Sequence, residues 1–136
     1  MKTIVADINN LKDVAKAIKE SGFYIFLLRG DLASGKTTLV KEFVKLLGIS
    51  QEATSPTFLI EQNYGNLVYH YDIYNAGSEK FLSLGLFEEF EKEGYHFIEW
   101  ADEKIESMLK EYEYEYCEIK IKKIENAREY SFRCIN

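Results

Sequence analysis

The residues of clearest chemical meaning in this sequence run from Gly30 to Thr37 and read Gly-Asp-Leu-Ala-Ser-Gly-Lys-Thr. They match G-x-x-x-x-G-K-[ST], the pattern of a phosphate-binding loop. In such a loop successive backbone N–H groups and a helix N-terminus surround phosphate oxygens. We therefore predict that Lys36 binds the β- and γ-phosphates of a nucleotide, and that the Thr37 hydroxyl binds a magnesium ion that bridges them.

The elements on either side of this loop are those that the pattern requires. Residues 23–28 form an unbroken apolar run, which is typical of a buried strand in a parallel sheet. Residues 36–47 place their apolar side chains on one broad stripe, and Gly48 follows as a helix stop. The order strand, loop, helix favours a nucleotide-binding loop over a glycine turn that merely precedes a helix.

Three further residues with oxygen-bearing side chains are candidates for the same site. Glu99 ends the apolar strand 95–98 and is a candidate magnesium ligand, the alternative being a surface acid beside a tryptophan. Residues 57–72 read as a hairpin whose open end carries Thr57 and Asp72. Asp72 is a candidate for orienting an attacking water, the alternative being plain packing among tyrosines, and Thr57 is a candidate sensor of the γ-phosphate or metal.

The histidines and arginines add little to this predicted site. We interpret His70 as a core or edge residue and not as a catalyst, and His96 as structural. Arg29 precedes the loop with its side chain directed away, and Arg128 and Arg133 belong to a terminal hairpin, so that Lys36 is left without a second cation. The absence of arginines from any lid-like insertion also argues against a small-molecule phosphotransferase.

Composition limits the partners that this protein can bind unaided. The chain has 136 residues, of which 46% are hydrophobic, and residues 1–136 are predicted to form a single domain. A formal net charge of −6 argues against unaided binding to DNA, RNA or an anionic membrane surface. The N-terminus lacks the apolar core of a signal peptide, so we expect a cytoplasmic protein.

The C-terminal segment reads as a β-hairpin. Pairing residues 112–124 with 127–136 through a turn at Glu125-Asn126 makes opposite residue numbers sum to 251 and gathers the apolar side chains on one face. This register places Cys117 opposite Cys134. We expect both to remain reduced thiols in the cytosol.

Taken together, the motifs of this chain resemble those of the TsaE family, also called YjeE, the small bacterial P-loop ATPases of tRNA threonylcarbamoyladenosine formation. The resemblance is spread along the chain in a specific order and spacing. Its motifs are Gly-Asp-Leu-x-x-Gly-Lys-Thr-Thr at 30–38, Ser-Pro-Thr-Phe at 55–58, His-Tyr-Asp-Ile-Tyr at 70–74, Leu-Gly-Leu at 84–86 and Ile-Glu-Trp at 98–100.

The resemblance implies the cofactors and site residues of this protein. ATP and Mg²⁺ are expected as cofactors, with Thr37, Thr57 and Glu99 associated with the metal and Asp72 with hydrolysis. The expected fold is an α/β, P-loop NTPase-like three-layer sandwich with a central, mostly parallel sheet and antiparallel hairpins. The loop residues expected to bind ATP are Gly30, Asp31, Leu32, Ala33, Ser34, Gly35, Lys36, Thr37 and Thr38.

The resemblance also implies a biological role and partners. The expected role is a weak, partner-dependent ATPase that supports modification of the adenosine next to the anticodon. The expected partners are TsaB and TsaD, the pair that transfers the threonylcarbamoyl group, with tRNA reached only through them. The alternatives that remain are a small-molecule phosphotransferase on the same fold and a nucleotide-dependent switch without useful turnover.

Two positions depart from the family pattern. Ala33-Ser34 stands where the family typically has Gly-Ala, so a backbone angle that is open to glycine is expected to be strained here by ~1 kcal/mol. Asn75 stands where the family usually has an arginine, which removes a cation near the predicted site. The second departure bears on the level of activity and on partner docking.

Overall fold

A computed structural model describes residues 2–31, 33–50 and 60–135, which form one seven-stranded mixed sheet in the order β1-β7-β6-β2-β5-β4-β3. The strands are β1 Lys2–Ala6, β2 Ile25–Arg29, β3 Glu61–Tyr64, β4 Val68–Asp72, β5 Tyr95–Glu99, β6 Tyr116–Ile124 and β7 Ala127–Ile135. The helices are α1 Leu11–Glu20, α2 Lys36–Leu46, α3 Gly77–Ser83, a 3₁₀ helix Leu86–Glu91 and α4 Glu103–Glu111.

The centre of the sheet is parallel and its two edges are antiparallel. Strand β2 lies between β6 and β5 and is parallel to both, and β4 is parallel to β5. The hairpin β3–β4 closes one edge, and β6–β7 together with β1 closes the other. The predicted α/β class with a mostly parallel centre and antiparallel hairpins is confirmed.

Helices cover both faces of the sheet, and β2 contributes alternate side chains to the two cores that lie between the sheet and the helices. Phe26 and Leu28 belong to the core that contains the buried residues of α1 and α2. Ile25 and Leu27 belong to the core under α3, the 3₁₀ helix and α4. All four side chains are almost fully buried, as the unbroken apolar run predicts. None of the helices among the described residues is long and apolar enough to cross a membrane.

The C-terminal hairpin has the predicted register, but its cysteines are not thiols. Residues of β6 and β7 pair so that Ile119 lies opposite Phe132 and Cys117 opposite Cys134. The two cysteine Cα atoms are 3.9 Å apart, and the side chains form a disulfide. The prediction of reduced thiols is therefore wrong, because it rested on the expected compartment, whereas direct cross-strand pairing brings the two sulfur atoms within bonding distance.

The topology gathers the carboxyl ends of β2, β5 and β4 at one edge of the sheet. Leu28 of β2 is in register with Glu99 of β5, and Glu99 is in register with Asp72 of β4. In parallel α/β sheets ligands bind outside this edge. The loop between β2 and α2 begins at the same edge, so the fold alone places the loop beside two carboxylates.

Candidate functional site

The loop that connects β2 to α2 is tightly folded, and its first glycine cannot be replaced without a clash. A Cβ atom on Gly30 would lie 2.6 Å from Ser34 Oγ and 2.9 Å from the Ile121 carbonyl oxygen. Ser34 N–H donates to the Asp31 carbonyl oxygen across the turn, 3.1 Å away. Ala33 has φ 61°, in the left-handed region that favours glycine, so the strain expected at this departure is present. Leu32 lies outside the described residues.

Lys36, the first residue of α2, is buried within the loop. Its Nζ donates hydrogen bonds to the carbonyl oxygens of Gly30, at 2.6 Å, and Asp31, at 3.0 Å. The same atom lies 4.1 Å from the centroid of the Trp100 ring. Burial lowers the pKa of Lys36, and the nearby carboxylates of Glu99, Asp72 and Asp31 oppose that shift. The ammonium group is therefore held where anionic oxygens entering the loop would reach it.

Thr37, the second residue of α2, is hydrogen-bonded to the last residue of β5. Thr37 Oγ1 donates a 2.9 Å hydrogen bond to Glu99 Oε2. Glu99 is 4% exposed, and burial by itself raises the pKa of a carboxyl group. Hydrogen bonds from His70 and Thr37 and the charge of Lys36 outweigh burial, so the pKa of Glu99 is lowered. Glu99 is thus an ionised carboxylate beside the start of α2, not an isolated surface acid.

His70 is the residue of this site that sequence reasoning set aside. Its Nε2 contacts Glu99 Oε2, and both side chains are buried. The available signal was the alternation of β4, which places His70 on the same face as Asp72, two residues later. His96, by contrast, lies in the core, where its ring nitrogens contact the Tyr71 hydroxyl and the Lys92 carbonyl oxygen, as expected of a structural residue.

Asp72 lies at the end of β4 with an exposed side chain. Its Oδ1 accepts a 3.1 Å hydrogen bond from Tyr74 N–H, which fixes the turn after the strand. It lines the same cavity as Lys36, Thr37 and Glu99. The placement leaves a carboxylate facing the open part of the cavity. Thr57 lies outside the described residues, so its association with the metal and γ-phosphate stays a prediction.

The loop opens into a cavity of about 830 Å³, which is within the range of small-molecule sites. Asn75 is part of its wall and brings no charge, as the second departure from the family pattern anticipates. The described residues that line the cavity are Ala33, Ser34, Gly35, Lys36, Thr37, Thr38, Ile60, Asp72, Tyr74, Asn75, Ala76, Glu99, Trp100 and Arg128. The loop and both carboxylates therefore face one shared space.

Trp100 forms one wall of this cavity in a strained backbone conformation. Its φ of 68° is unusual for a bulky residue and occurs directly after Glu99, where β5 ends. The ring packs against Tyr74, with centroids 4.7 Å apart, and also contacts the Lys36 ammonium group. The turn after β5 thus positions the acidic residue and the aromatic wall together.

The donors at Thr37 and Glu99 suit magnesium but do not form a complete metal site by themselves. Among residues 2–31, 33–50 and 60–135, no group of three or more His, Cys, Asp or Glu could hold a metal ion. A hydroxyl and a carboxylate are oxygen donors of the kind that Mg²⁺ prefers, and Mg²⁺ usually fills its remaining positions with phosphate oxygens and waters. The arrangement fits a metal that arrives with a nucleotide.

One arginine lies where the sequence predicts, and another lies unexpectedly beside the loop. Arg29 is turned away from the loop, as expected, and pairs with Glu118 at 3.0 Å and Glu106 at 3.1 Å. Arg128, however, lines the cavity. The hairpin does not keep this residue away from the loop, because β6 pairs with β2 and the β6–β7 turn therefore extends along the same edge of the sheet.

This chain is similar in sequence to known proteins. The family model described as "Threonylcarbamoyl adenosine biosynthesis protein TsaE" matches residues 5–130. The tRNA threonylcarbamoyladenosine biosynthesis protein TsaE of Bacillus subtilis is 42% identical over 57% of this chain and 50% of that protein. The protein of the same name from Treponema pallidum is 43% identical over 65% of this chain and 67% of that protein. The sequence match thus spans about half the length of the first relative.

A solved structure extends the likeness to nearly the whole chain. The crystal structure of YdiB from Bacillus subtilis superimposes with a TM-score of 0.66 at 28% sequence identity. The superposition covers 99% of this chain and 87% of that one. The fold described above is therefore shared with a solved protein over most of the length of both chains.

Proposed function

Because the chain belongs to the TsaE family, we propose that it is an ATP-binding protein with weak ATPase activity that supports threonylcarbamoyladenosine formation in tRNA. Members of this family take part in tRNA threonylcarbamoyladenosine biosynthesis. For this chain we propose that it binds and hydrolyses ATP, that Mg²⁺ is its second cofactor, and that it acts with partner proteins.

The observation that carries the proposal is the convergence of Lys36, Thr37, Glu99 and Asp72 on one cavity. These residues come from α2, β5 and β4, which meet at one edge of the sheet. They bring together a cation, a hydroxyl group and two carboxylates. Phosphoryl transfer depends on positioning and on electrostatic stabilisation more than on covalent chemistry, and these are the groups that supply both.

Each residue has a defined role in this proposal. The loop N–H groups and Lys36 bind the phosphate chain, and Lys36 exchanges the carbonyl oxygens of Gly30 and Asp31 for phosphate oxygens. Thr37 and Glu99, and Thr57 as the resemblance implies, would hold Mg²⁺, which would offset the negative charge of the phosphates. Asp72 orients the attacking water from the open side of the cavity. His70 holds the Glu99 carboxylate in place.

We further propose that hydrolysis is slow in the isolated chain. Developing charge on the transferred phosphoryl group needs cations, and a missing arginine finger typically lowers the rate 10³- to 10⁵-fold. Asn75 occupies the cavity wall where the family usually has an arginine, Lys36 is already assigned to the phosphates, and Arg128 lies over Gly35 of the loop. A docked partner is then required for useful turnover.

The proposed partners are TsaB and TsaD, and the proposed location is the cytoplasm, where tRNA is modified. A chain with a formal net charge of −6 is poorly suited to hold RNA directly, so tRNA is reached through the partners. The same charge disfavours DNA and anionic membranes as ligands.

Single-turnover ATP hydrolysis by the purified chain, measured with and without TsaB and TsaD, tests this proposal. We expect slow turnover alone and a marked increase when the pair is added, together with recovery of the pair in a pull-down with ATP. Fast turnover by the chain alone would contradict the dependence on a partner, and failure to recover the pair with ATP present would favour a phosphotransferase or a nucleotide-dependent switch. Binding of ATP without hydrolysis under either condition would indicate a nucleotide-dependent switch.

A further inference from the structure

We propose that Arg128 is a nucleotide-binding residue that contacts the α-phosphate from its position over Gly35 of the loop. This inference rests on the proposed function, since it concerns the same nucleotide. It adds a cation from the terminal hairpin to a loop whose own cation is Lys36.

The first observation is that Arg128 has no carboxylate partner in the described part of the chain. Arg29 and Arg133 both lie within ion-pair distance of Glu106 and Glu118. No comparable contact to Arg128 exists among residues 2–31, 33–50 and 60–135, although the chain carries 23 acidic residues against 17 basic ones. An unpaired guanidinium beside a phosphate-binding loop is a ready anion ligand.

The second observation is the close approach of this side chain to the loop itself. A Cβ atom on Gly35 would lie 3.3 Å from Arg128 Nε and 3.6 Å from its Cδ, so the guanidinium group packs directly over the glycine. Within the described residues, the Nε atom is buried and lacks a hydrogen-bond partner. A buried donor without an acceptor is costly, and an anionic oxygen in the cavity would satisfy it.

The third observation decides which end of the nucleotide Arg128 faces. Lys36, Thr37 and Glu99 define the side of the cavity for the β- and γ-phosphates and the metal. Arg128 also lines a second, adjoining cavity of about 50 Å³, together with Thr38, which is one residue further along α2 than Thr37, and with Asp7 and Ile8 from the segment before α1. A phosphate chain extended from the metal side therefore brings its α-phosphate toward Arg128.

Titration of ATP and ADP into wild type, Arg128→Gln and Arg128→Lys tests this contact. The α-phosphate is common to both nucleotides, so we expect Arg128→Gln to weaken both by the same factor, about tenfold or more for one charge-assisted hydrogen bond. Arg128→Lys keeps the charge and should recover part of the loss. Lys123→Gln is the matched control, because Lys123 lies opposite Arg128 in the hairpin and is exposed; its affinities should match those of wild type.

Each other outcome overturns the inference. Unchanged affinities in Arg128→Gln would show that the residue does not touch the nucleotide, and a loss confined to ATP would place it at the γ-phosphate. An equal loss in Arg128→Lys would indicate stacking of the planar guanidinium on the base, and an equal loss in Lys123→Gln would indicate a net-charge effect. Thermal unfolding without nucleotide verifies that the variants are folded. If wild type binds neither nucleotide, the proposed function itself fails.

Discussion

Thr37 and Glu99 are 62 positions apart in the chain, yet Thr37 Oγ1 donates a 2.9 Å hydrogen bond to Glu99 Oε2. The parallel pairing of β2 with β5 produces this contact, because Leu28, next to the last residue of β2, is in register with Glu99 at the end of β5. The helix that starts at Lys36 therefore begins next to a buried carboxylate. The two oxygen donors are close enough to share one ligand.

The first prediction follows from that pair. Glu99→Gln and Thr37→Ala should weaken ATP binding more in the presence of Mg²⁺ than in its absence, because both side chains are proposed to act through the ion. Calorimetric titration of ATP with magnesium and with a chelator measures the difference. Equal losses under the two conditions would show that these residues contact the nucleotide directly or support the fold.

The second prediction concerns Asp72. Asp72→Asn should leave ATP affinity nearly intact and lower single-turnover hydrolysis by about 10²-fold or more, because a water-orienting group acts mainly in the transition state. Asparagine keeps the oxygen that accepts from Tyr74 N–H, so the turn after β4 is preserved. Parallel loss of affinity and rate would identify Asp72 as a ligand or a fold residue and would move the catalytic assignment to Glu99.

The parts of the fold that local patterns determine could be predicted from the sequence. The apolar run at 23–28 predicted a strand buried on both faces, and residues 25–28 of β2 are so buried, although Tyr24 is exposed. The alternation at 117–121 and 130–134 predicted the hairpin register. Periodicity works here because each side chain's environment depends on its position within one element or one pair of adjacent strands.

Features that depend on contacts between distant elements could not be predicted in this way. His70 contacts Glu99 only because β4 and β5 are neighbours, and a lone histidine on a strand gives no indication of that order. Arg128 reaches the loop because β6 lies beside β2. The hydrogen bonds of Lys36 to the loop carbonyl oxygens were missed for a different reason, because the motif assigns the ammonium group to phosphate oxygens and not to the backbone of the loop.

The third prediction concerns the strained residue in the loop. Ala33→Gly should raise the free energy of unfolding by about 0.5–1 kcal/mol, because removing the Cβ relieves the left-handed φ of 61° by more than glycine's added flexibility costs. Urea denaturation of the free protein measures this. Ala127→Gly, in β7 and without a positive φ, is the control and should lower stability instead. A decrease in both variants would mean that the angle carries no strain.

The fourth prediction concerns a buried acid outside the site. Burial and the neighbouring Glu89 carboxyl raise the pKa of Glu61 from 4.5 to about 7. The folded state therefore binds the proton of the Glu61 carboxyl group more tightly than the unfolded state does. The stability that this protonation contributes is full below pH 4.5 and is lost as the pH rises through about 7.

Replacing this acid with a neutral isostere removes the effect. Glu61→Gln should gain stability relative to wild type as the pH is raised from 5 to 8, by on the order of 1–3 kcal/mol in the free energy of unfolding. Urea denaturation at both pH values measures the change. In the Glu89→Gln variant, the loss of stability with rising pH should occur at a lower pH than in wild type, because the variant lacks the carboxyl group that helps to raise the pKa of Glu61. A stability difference that does not vary with pH would contradict the raised pKa.

The most direct test of the proposed function is a titration of ATP, with Mg²⁺, into the wild-type chain and into Lys36→Ala. We expect wild type to bind and the variant to lose about 2–4 kcal/mol of binding free energy, because the phosphates lose the loop's point-charge partner. Lys41→Ala, in an exposed position on α2, is the control and should bind as wild type does. Equal affinity of wild type and Lys36→Ala would contradict the assignment of this loop as the phosphate site.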